Sequence, residues 1–412
     1  MIENKDSSDD DAKFVDAKAA AKALGVSVPT LYAYVGRKRI RTQRMPGTKK
    51  RGYWWRDIER VRGKQNRAGA TPIPDGVTHE TEITLMTQSG PYYRGRSALE
   101  LAQTHSLEAV AGLLWGVNEP EIFEPRSLTV PKEFLALQKS LKHASTVDRA
   151  TALFPFIEHM SPRSFDLTRR GMARTGAELL RWYTCILANL DRPDEAPAHE
   201  TLAKALRLST ELADLVRSIL VLSADHGFEV GTYAVRACAT AGVTPYRSIL
   251  AGLAVITGRR SNSGRGEAVL RLIEEIKTES DPKSPIVRRL KEGEQLPGFG
   301  SSFYENADPR AAFLMKRYED VFGDEKEFGK IRRAMATAQE LCGLHPNFVF
   351  ANTYFLSRIG LDPTRSLFPL GRAVGWIAHS IEQFQAGEAM RWPERYTGQL
   401  PRKPLTQPLS EG

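Results

Sequence analysis

Apolar residues recur at the three-to-four-residue spacing of a helix along most of this chain. Near the start the pattern predicts two short helices. Ala17, Ala19, Ala20, Ala21, Ala23 and Leu24 follow Asp16 as a candidate N-cap, and Gly25 supplies a stop. Ser27 is placed to cap a second helix, Pro29 is tolerated in its first turn, and Leu31, Tyr32, Tyr34 and Val35 run on to Gly36. Two short helices joined at LGVS form a helix-turn-helix signature. The next stretch, RKRIRTQRMPGTKKRGYWWRDIERV, reads as a hairpin or wing turning at Pro46-Gly47 and returning through Tyr53-Trp54. A third helix is expected from about Arg56-Asp57, and the Gly, Ala, Thr and Pro of Gly63 to Pro74 read as a linker.

From about Gly76 the helical spacing dominates. It recurs from Leu99/Leu101 to Leu114, Leu179 to Leu190, Leu202 to Leu222, Val269 to Ile276, Ala311 to Phe322, Ile331 to Leu341 and Phe368 to Phe384. The main strand candidate is Thr81 to Gly95, which alternates and reads as a small hairpin with a Ser-Gly-Pro turn. The pattern therefore predicts a mainly α protein in four parts. These are a disordered acidic tail (1–12), a small basic domain (13–63), a linker (64–75) and a large helical domain (76–412).

Composition sharpens this division. Hydrophobic residues make up 41% and charged residues 26% of the 412 residues, ordinary for a globular core. No apolar run reaches the roughly 18–20 residues needed to cross a bilayer, and the acidic start is unlike a secretory signal. A cytoplasmic protein is expected. Cys185, Cys238 and Cys342 lie far apart in apolar stretches and read as reduced, mostly buried thiols, with no metal site. The net charge of +9 is localised. Twelve Lys or Arg against Asp57 and Glu59 between Arg37 and Lys64 give +10 there, leaving −1 elsewhere.

One basic patch on a near-neutral body suggests a local anionic partner, with DNA the first expectation. The second helix would offer Thr30, Tyr32, Ala33 and Arg37 to base edges. Lys38, Arg39, Lys49, Lys50 and Arg51 would contact phosphates. The order of helix, LGVS, helix, basic wing and RDIE helix resembles the MerR- and excisionase-type winged helix-turn-helix, over about fifty residues.

In the large region five strings occur in order: YYRGRSALELAQTHSLEAVAGLLW (92–115), LVLSADHGFEVGTYAVR (220–236), PGFGSSFYENADPRA (297–311), HPNFVF (345–350) and GRAVGWIAHSIEQ (371–383). Together they resemble citrate synthase and its methylcitrate relatives. The resemblance implies a large and a small helical domain (the small one about 263–365), with the site between them, and a dimer. It also implies a dicarboxylate clamp of Arg310, Arg372 and Arg391, with His226 on the oxaloacetate ketone. A guanidinium fork suits such a carboxylate.

The family's acid–base groups are replaced. The histidine of its GPLHGGANE loop falls on Ser261 or Asn262 within GRRSNSGRGE, the histidine of GFGH falls on Ser301, and the aspartate of PNVDF falls on Val349. Neither Ser nor Val titrates in the useful range, and each group of this kind is worth about 10²–10⁴-fold. Glu229, where the family tends to have Asn, and Glu305 are the neighbouring carboxylates. The rewritten loop puts coenzyme A binding in doubt and offers Arg259, Arg260 and Arg265 to an anion instead.

Three functions are compatible with this. The first is a dimeric DNA-binding regulator sensing a di- or tricarboxylate. The second is a citrate synthase-type acyltransferase condensing acetyl-CoA or propionyl-CoA with oxaloacetate. The third is an inactive partner subunit of an active citrate synthase paralogue; the expected dimer is either a homodimer or a heterodimer with such a paralogue. The sequence favours the first, needs no cofactor, and admits acetyl-CoA as a substrate only in the second.

Overall fold

A computed structural model describes residues 14–24, 26–37, 40, 42–44, 50–54, 58, 80–124, 128–258, 266–361 and 363–387. The chain divides into two compact units, Met1–Ile73 and Pro74–Gly412. The first holds β1 (Phe14–Val15), α1 (Ala17–Leu24), α2 (Val28–Arg37), β2 (Thr42–Arg44) and β3 (Arg51–Trp54). Asp16 Oδ1 accepts from the Ala19 amide at 2.8 Å and Ser27 Oγ from the Thr30 amide at 3.3 Å, so both helices start on their predicted caps. β3 pairs antiparallel with β2, as the hairpin reading requires, and also with the short β1, giving the order β1-β3-β2. Ala20, Ala21, Leu24, Leu31, Ile40, Tyr53 and Ile58 form a small core of its own. The predicted turn at Pro46-Gly47, most of the third helix, the linker and the acidic tail lie outside the described residues.

The second unit opens with a three-stranded antiparallel sheet of β4 (Thr84–Thr87), β5 (Gly90–Tyr93) and β6 (Arg96–Ser97). Its first turn is Gln88-Ser89 rather than Ser-Gly-Pro, because Thr87 pairs with Gly90 and Met86 with Pro91. Helices follow: α3 (Ala98–Thr104), α4 (Leu107–Trp115), α5 (Glu119–Ile122), α6 (Phe134–Ser140), α7 (Thr146–His159), α8 (Arg169–Ala188), α9 (Ala198–Leu206) and α10 (Thr210–Ser223). Then come α11 (Val230–Thr240), α12 (Pro245–Ile256), α13 (Gly266–Thr278), α14 (Ser284–Lys291), α15 (Pro309–Phe322), α16 (Lys326–Cys342), α17 (Phe348–Arg358) and α18 (Phe368–Ala386).

Two predicted helical runs are each two helices. Ser106 caps α4 by accepting from the Ala109 amide, which ends the run from Leu99 at His105. Arg207 in the left-handed region and Ser209 as a cap separate α9 from α10. Cys185 is buried and Cys238 half-buried, but Cys342 is exposed at the end of α16, contrary to the expectation that it is covered.

The helix that organises this unit is α18. Every residue from Pro369 to Ile381 is buried. A Cβ on Gly371 would lie 2.5 Å from the Leu220 carbonyl oxygen, and one on Gly375 would lie 2.3 Å from that of Ala224. The two glycines, four apart and so on one face, let α18 lie directly on the end of α10 and the loop beyond it. Opposite, the Trp376 ring fills the space left by Gly231 of α11 and Gly252 of α12.

Candidate active site

The loop Ala224–Glu229 between α10 and α11 is held at several points. The Gly375 amide donates to the Ala224 carbonyl at 2.9 Å. Asp225 is fully buried, and its Oδ2 accepts from the Gly227 amide at 3.0 Å, fixing a turn in which Gly227 has φ +66°. Burial alone would raise the Asp225 pKa. The neighbouring His379 and Arg372 outweigh it and hold the carboxyl well below its usual range. His379 Nε2 lies 3.4 Å from Asp225 Oδ2 and its Nδ1 lies 3.2 Å from Arg236 Nη1, which in turn donates to Glu382 at 2.6 Å. A buried polar chain thus runs behind the loop from α18 to α11.

His226 projects from this loop. Its Nε2 is 3.0 Å from the Tyr304 hydroxyl, with the rings edge-to-face at 5.7 Å. Burial, then the positive fields of Arg310 and Arg372, push the imidazole well below its ordinary value, so it is neutral at physiological pH. Burial also raises the Tyr304 hydroxyl to about 12 against the opposing field of Arg310.

Arg310 and Arg372 therefore act on the same groups, although they come from different helices. Arg310, in the first turn of α15, donates from Nε and Nη2 to the two oxygens of Asp308 at 3.1 and 2.8 Å. Its guanidinium carbon sits 4.6 Å from the Phe348 ring centroid. Arg372, on α18, donates from Nε to the Ser223 carbonyl at 2.9 Å and from Nη1 to Glu229 Oε1 at 2.8 Å. Three of the four sequence-predicted carboxylate-binding residues, His226, Arg310 and Arg372, are thus brought together. Arg391 lies outside the described residues.

The facing side is built from the GFG and HPN strings. Phe299 and Pro346 form an isolated antiparallel bridge, with the Gly300 amide donating to the His345 carbonyl and the Asn347 amide to the Gly298 carbonyl, both at 2.8 Å. Gly298 and Gly300 have φ +80° and +75° there. Ser301 is exposed, and its Oγ accepts from the Phe303 and Tyr304 amides at 3.1 and 3.0 Å, closing a turn. Val349 is half-buried in the first turn of α17, whose cap Asn347 accepts from the Val349 and Phe350 amides. Ser261, Asn262, Arg259, Arg260 and Arg265 lie outside the described residues. Glu305 is exposed, its amide donating to Gln88 on the β4–β5 turn. Among the described residues no cluster of three His, Cys, Asp or Glu could hold a metal ion.

Sequence reasoning missed Tyr304 and the Asp225–His379–Arg236 chain. Tyr304 stands inside a quoted string without a charge to mark it. His379 lies 154 positions from Asp225, beyond the reach of spacing arguments.

In the first unit, Tyr32 is 58% exposed, Thr30 Oγ1 lies 2.7 Å from Ser27 Oγ, and Lys50 and Arg51 are exposed at the start of β3. Arg37 ends α2, while Lys38, Arg39 and Lys49 lie outside the described residues.

Residues 75–393 match the family described as citrate synthase, C-terminal domain. The citrate synthase of Haloferax volcanii is 30% identical over 194 residues, 46% of this chain and 51% of that protein. The 2-methylcitrate synthase of Shewanella oneidensis is 27% identical over 189 residues, 45% of this chain and 50% of that one. The chain thus spans about half the length of these curated relatives. Two solved structures share the fold. Citrate synthase from Thermotoga maritima has a TM-score of 0.66 at 23% identity, covering 80% of this chain and 96% of that chain. A ternary complex of carboxymethyl coenzyme A and oxaloacetate with citrate synthase from Thermoplasma acidophilum has a TM-score of 0.67 at 20% identity, with the same coverage.

These likenesses overturn the expectation that the chain is chiefly a dimeric DNA-binding regulator. About three quarters of it matches a synthase family, and the relatives are named as enzymes. For cellular location, among the described residues no helix is long and apolar enough to cross a membrane.

Proposed function

The chain belongs to the citrate synthase family, and from that membership we propose that it is an acyltransferase of the citrate synthase type. It joins acetyl-CoA or propionyl-CoA to a 2-oxo acid, with oxaloacetate the acceptor that the family implies. The observation that carries this reading is the convergence of His226, Arg310 and Arg372. Neutral His226 can hydrogen-bond the acceptor's ketone oxygen, and a guanidinium can bind its carboxylate. The new bond joins the acyl α-carbon to the ketone carbon; the α-proton leaves to a base, the ketone oxygen gains a proton, and water splits the thioester to release the thiol. With Ser301 on the facing loop and Val349 in the first turn of α17, much of the acceleration rests on positioning and electrostatics, so slow turnover is expected. The N-terminal helices and β2–β3 hairpin support its reading as an accessory module of the winged helix-turn-helix kind.

The test is coenzyme A thiol release from acetyl-CoA and propionyl-CoA, with oxaloacetate and pyruvate as parallel acceptors. Acceptor-dependent release is expected, reduced at least tenfold by Arg310→Lys. That change keeps a charge beside Asp308 but removes the fork. Flat traces with every pair would sink the reading. They would favour an inactive subunit pairing with an active synthase, the alternative that Ser301 and Val349 suggest, and co-purification of a second synthase chain would identify it.

A further inference from the structure

Among the described residues, the two arginines beside His226 are already matched by carboxylates of the chain itself. Arg310 is held by both oxygens of Asp308, and Arg372 by Glu229. His226 adds no charge. The two ion pairs differ in kind. Asp308 is 3% exposed at its side chain and has structural duties, accepting from the Arg310 and Phe348 amides at the start of α15. Glu229 is 34% exposed at its side chain and pairs with Arg372.

Glu229 also stands at an unusual place for a glutamate. It is the N-cap residue of α11, where a short polar side chain folds back onto the helix amides. No such capping bond forms; the longer side chain reaches across to Arg372 instead. Its carboxylate sits against a guanidinium that is 1% exposed, so it competes with any other carboxylate for that guanidinium. A dicarboxylate clamped between Arg310 and Arg372 would have to displace Glu229 and then share the pocket with it. A monocarboxylate needs one cationic partner and leaves the Glu229–Arg372 pair intact.

We propose that Glu229 sets the acceptor class. It is a built-in carboxylate ligand of Arg372, so the pocket takes a 2-oxo acid bearing one carboxylate, of the pyruvate or 2-oxobutyrate kind, in preference to a dicarboxylate. This rests on the acyltransferase reading for its meaning but not for its test, which is a binding measurement.

Titration calorimetry on the full chain with pyruvate and with freshly dissolved oxaloacetate gives the affinity ratio. The wild type is expected to bind pyruvate at least as tightly as oxaloacetate. Glu229→Gln and Glu229→Asn should each shift the ratio toward oxaloacetate by tenfold or more. The asparagine can cap α11, which offsets part of the cost of leaving Arg372 without its carboxylate, so that variant should melt above Glu229→Gln. A wild type that prefers oxaloacetate by tenfold, a ratio unmoved in both folded variants, or no binding of either acid would overturn the proposal. A shifted ratio without thiol release in any protein would sink the acyltransferase reading and leave the role of Glu229 standing. Ordinary turnover of oxaloacetate by the wild type would do the reverse.

Discussion

The two walls of the pocket are built to different standards. On the α18 wall, Asp225 sits on His379, His379 beside Arg236, and Arg236 on Glu382, so His226 and Arg372 stand on a foundation of buried charge. On the opposite wall, the bridge between Phe299 and Pro346 sets two loops side by side and then presents a serine and a valine. The first wall keeps what a carboxylate needs. The second has an ordered backbone and places no titrating side chain at positions 301 and 349. The glycines at 298 and 300 and the cap at Asn347 shape the second wall without help from position 349, while Ser301 adds only the turn closed by its hydroxyl.

The strongest way to break this comparison is to place titrating groups on the second wall. Ser301→His combined with Val349→Asp should raise thiol release about 10²-fold or more, since each such group contributes about 10²–10⁴-fold. The aspartate would enter the first turn of α17, where the helix N-terminus favours a negative charge. A double variant that folds but turns over no faster would show that the second wall has lost its shape as well.

The first wall should fail by a different route. In Gly375→Ala the new methyl has the Ala224 carbonyl oxygen 2.3 Å away. A loss of about 1–3 kcal/mol in denaturant unfolding is expected, as for overpacking elsewhere, together with weaker acceptor binding.

A subtler probe is pH. His226 is held neutral in the fold by burial and by Arg310 and Arg372. Below the unfolded value of about 6.5 the unfolded chain takes up a proton that the folded chain refuses, so stability falls as the pH falls. His226→Gln should lessen that decline by up to about 1.4 kcal/mol per pH unit, read from unfolding midpoints between pH 7.5 and 5. Asp225 does not intrude: its lowered pKa stabilises the fold above the unfolded carboxylate range and is lost only in stronger acid. The smallest effect marks the contrast with Gly375. At Gly329 in α16 an added methyl would meet nothing within 4 Å, so Gly329→Ala should stabilise the chain by about 0.5–1 kcal/mol in the same unfolding measurement.

The sequence disclosed the helices that keep a polar face. α13, α15 and α16 lie where the spacing put them, because each alternates buried and solvent-facing positions. It also disclosed α18, buried from Pro369 to Ile381, but not the 11-residue α17, whose short apolar run from Phe348 to Leu356 cannot be told from a buried strand by periodicity. The site divided in the same way. His226, Arg310 and Arg372 were found through the strings that contain them. The pairing of Arg372 with Glu229 was not, because 143 positions separate them and charge alone names no partner.

The glycine pair on α18 has a consequence for how such a site can diverge. Gly371 and Gly375 tie the floor beneath His226 to a helix that cannot shift without colliding with carbonyl oxygens. Mutational drift is therefore channelled. The helix side tolerates few alleles, while the bridged loops opposite and the cap position of α11 can accumulate changes without loss of the fold. New specificities within this architecture should arise as edits to one wall against an unchanging other.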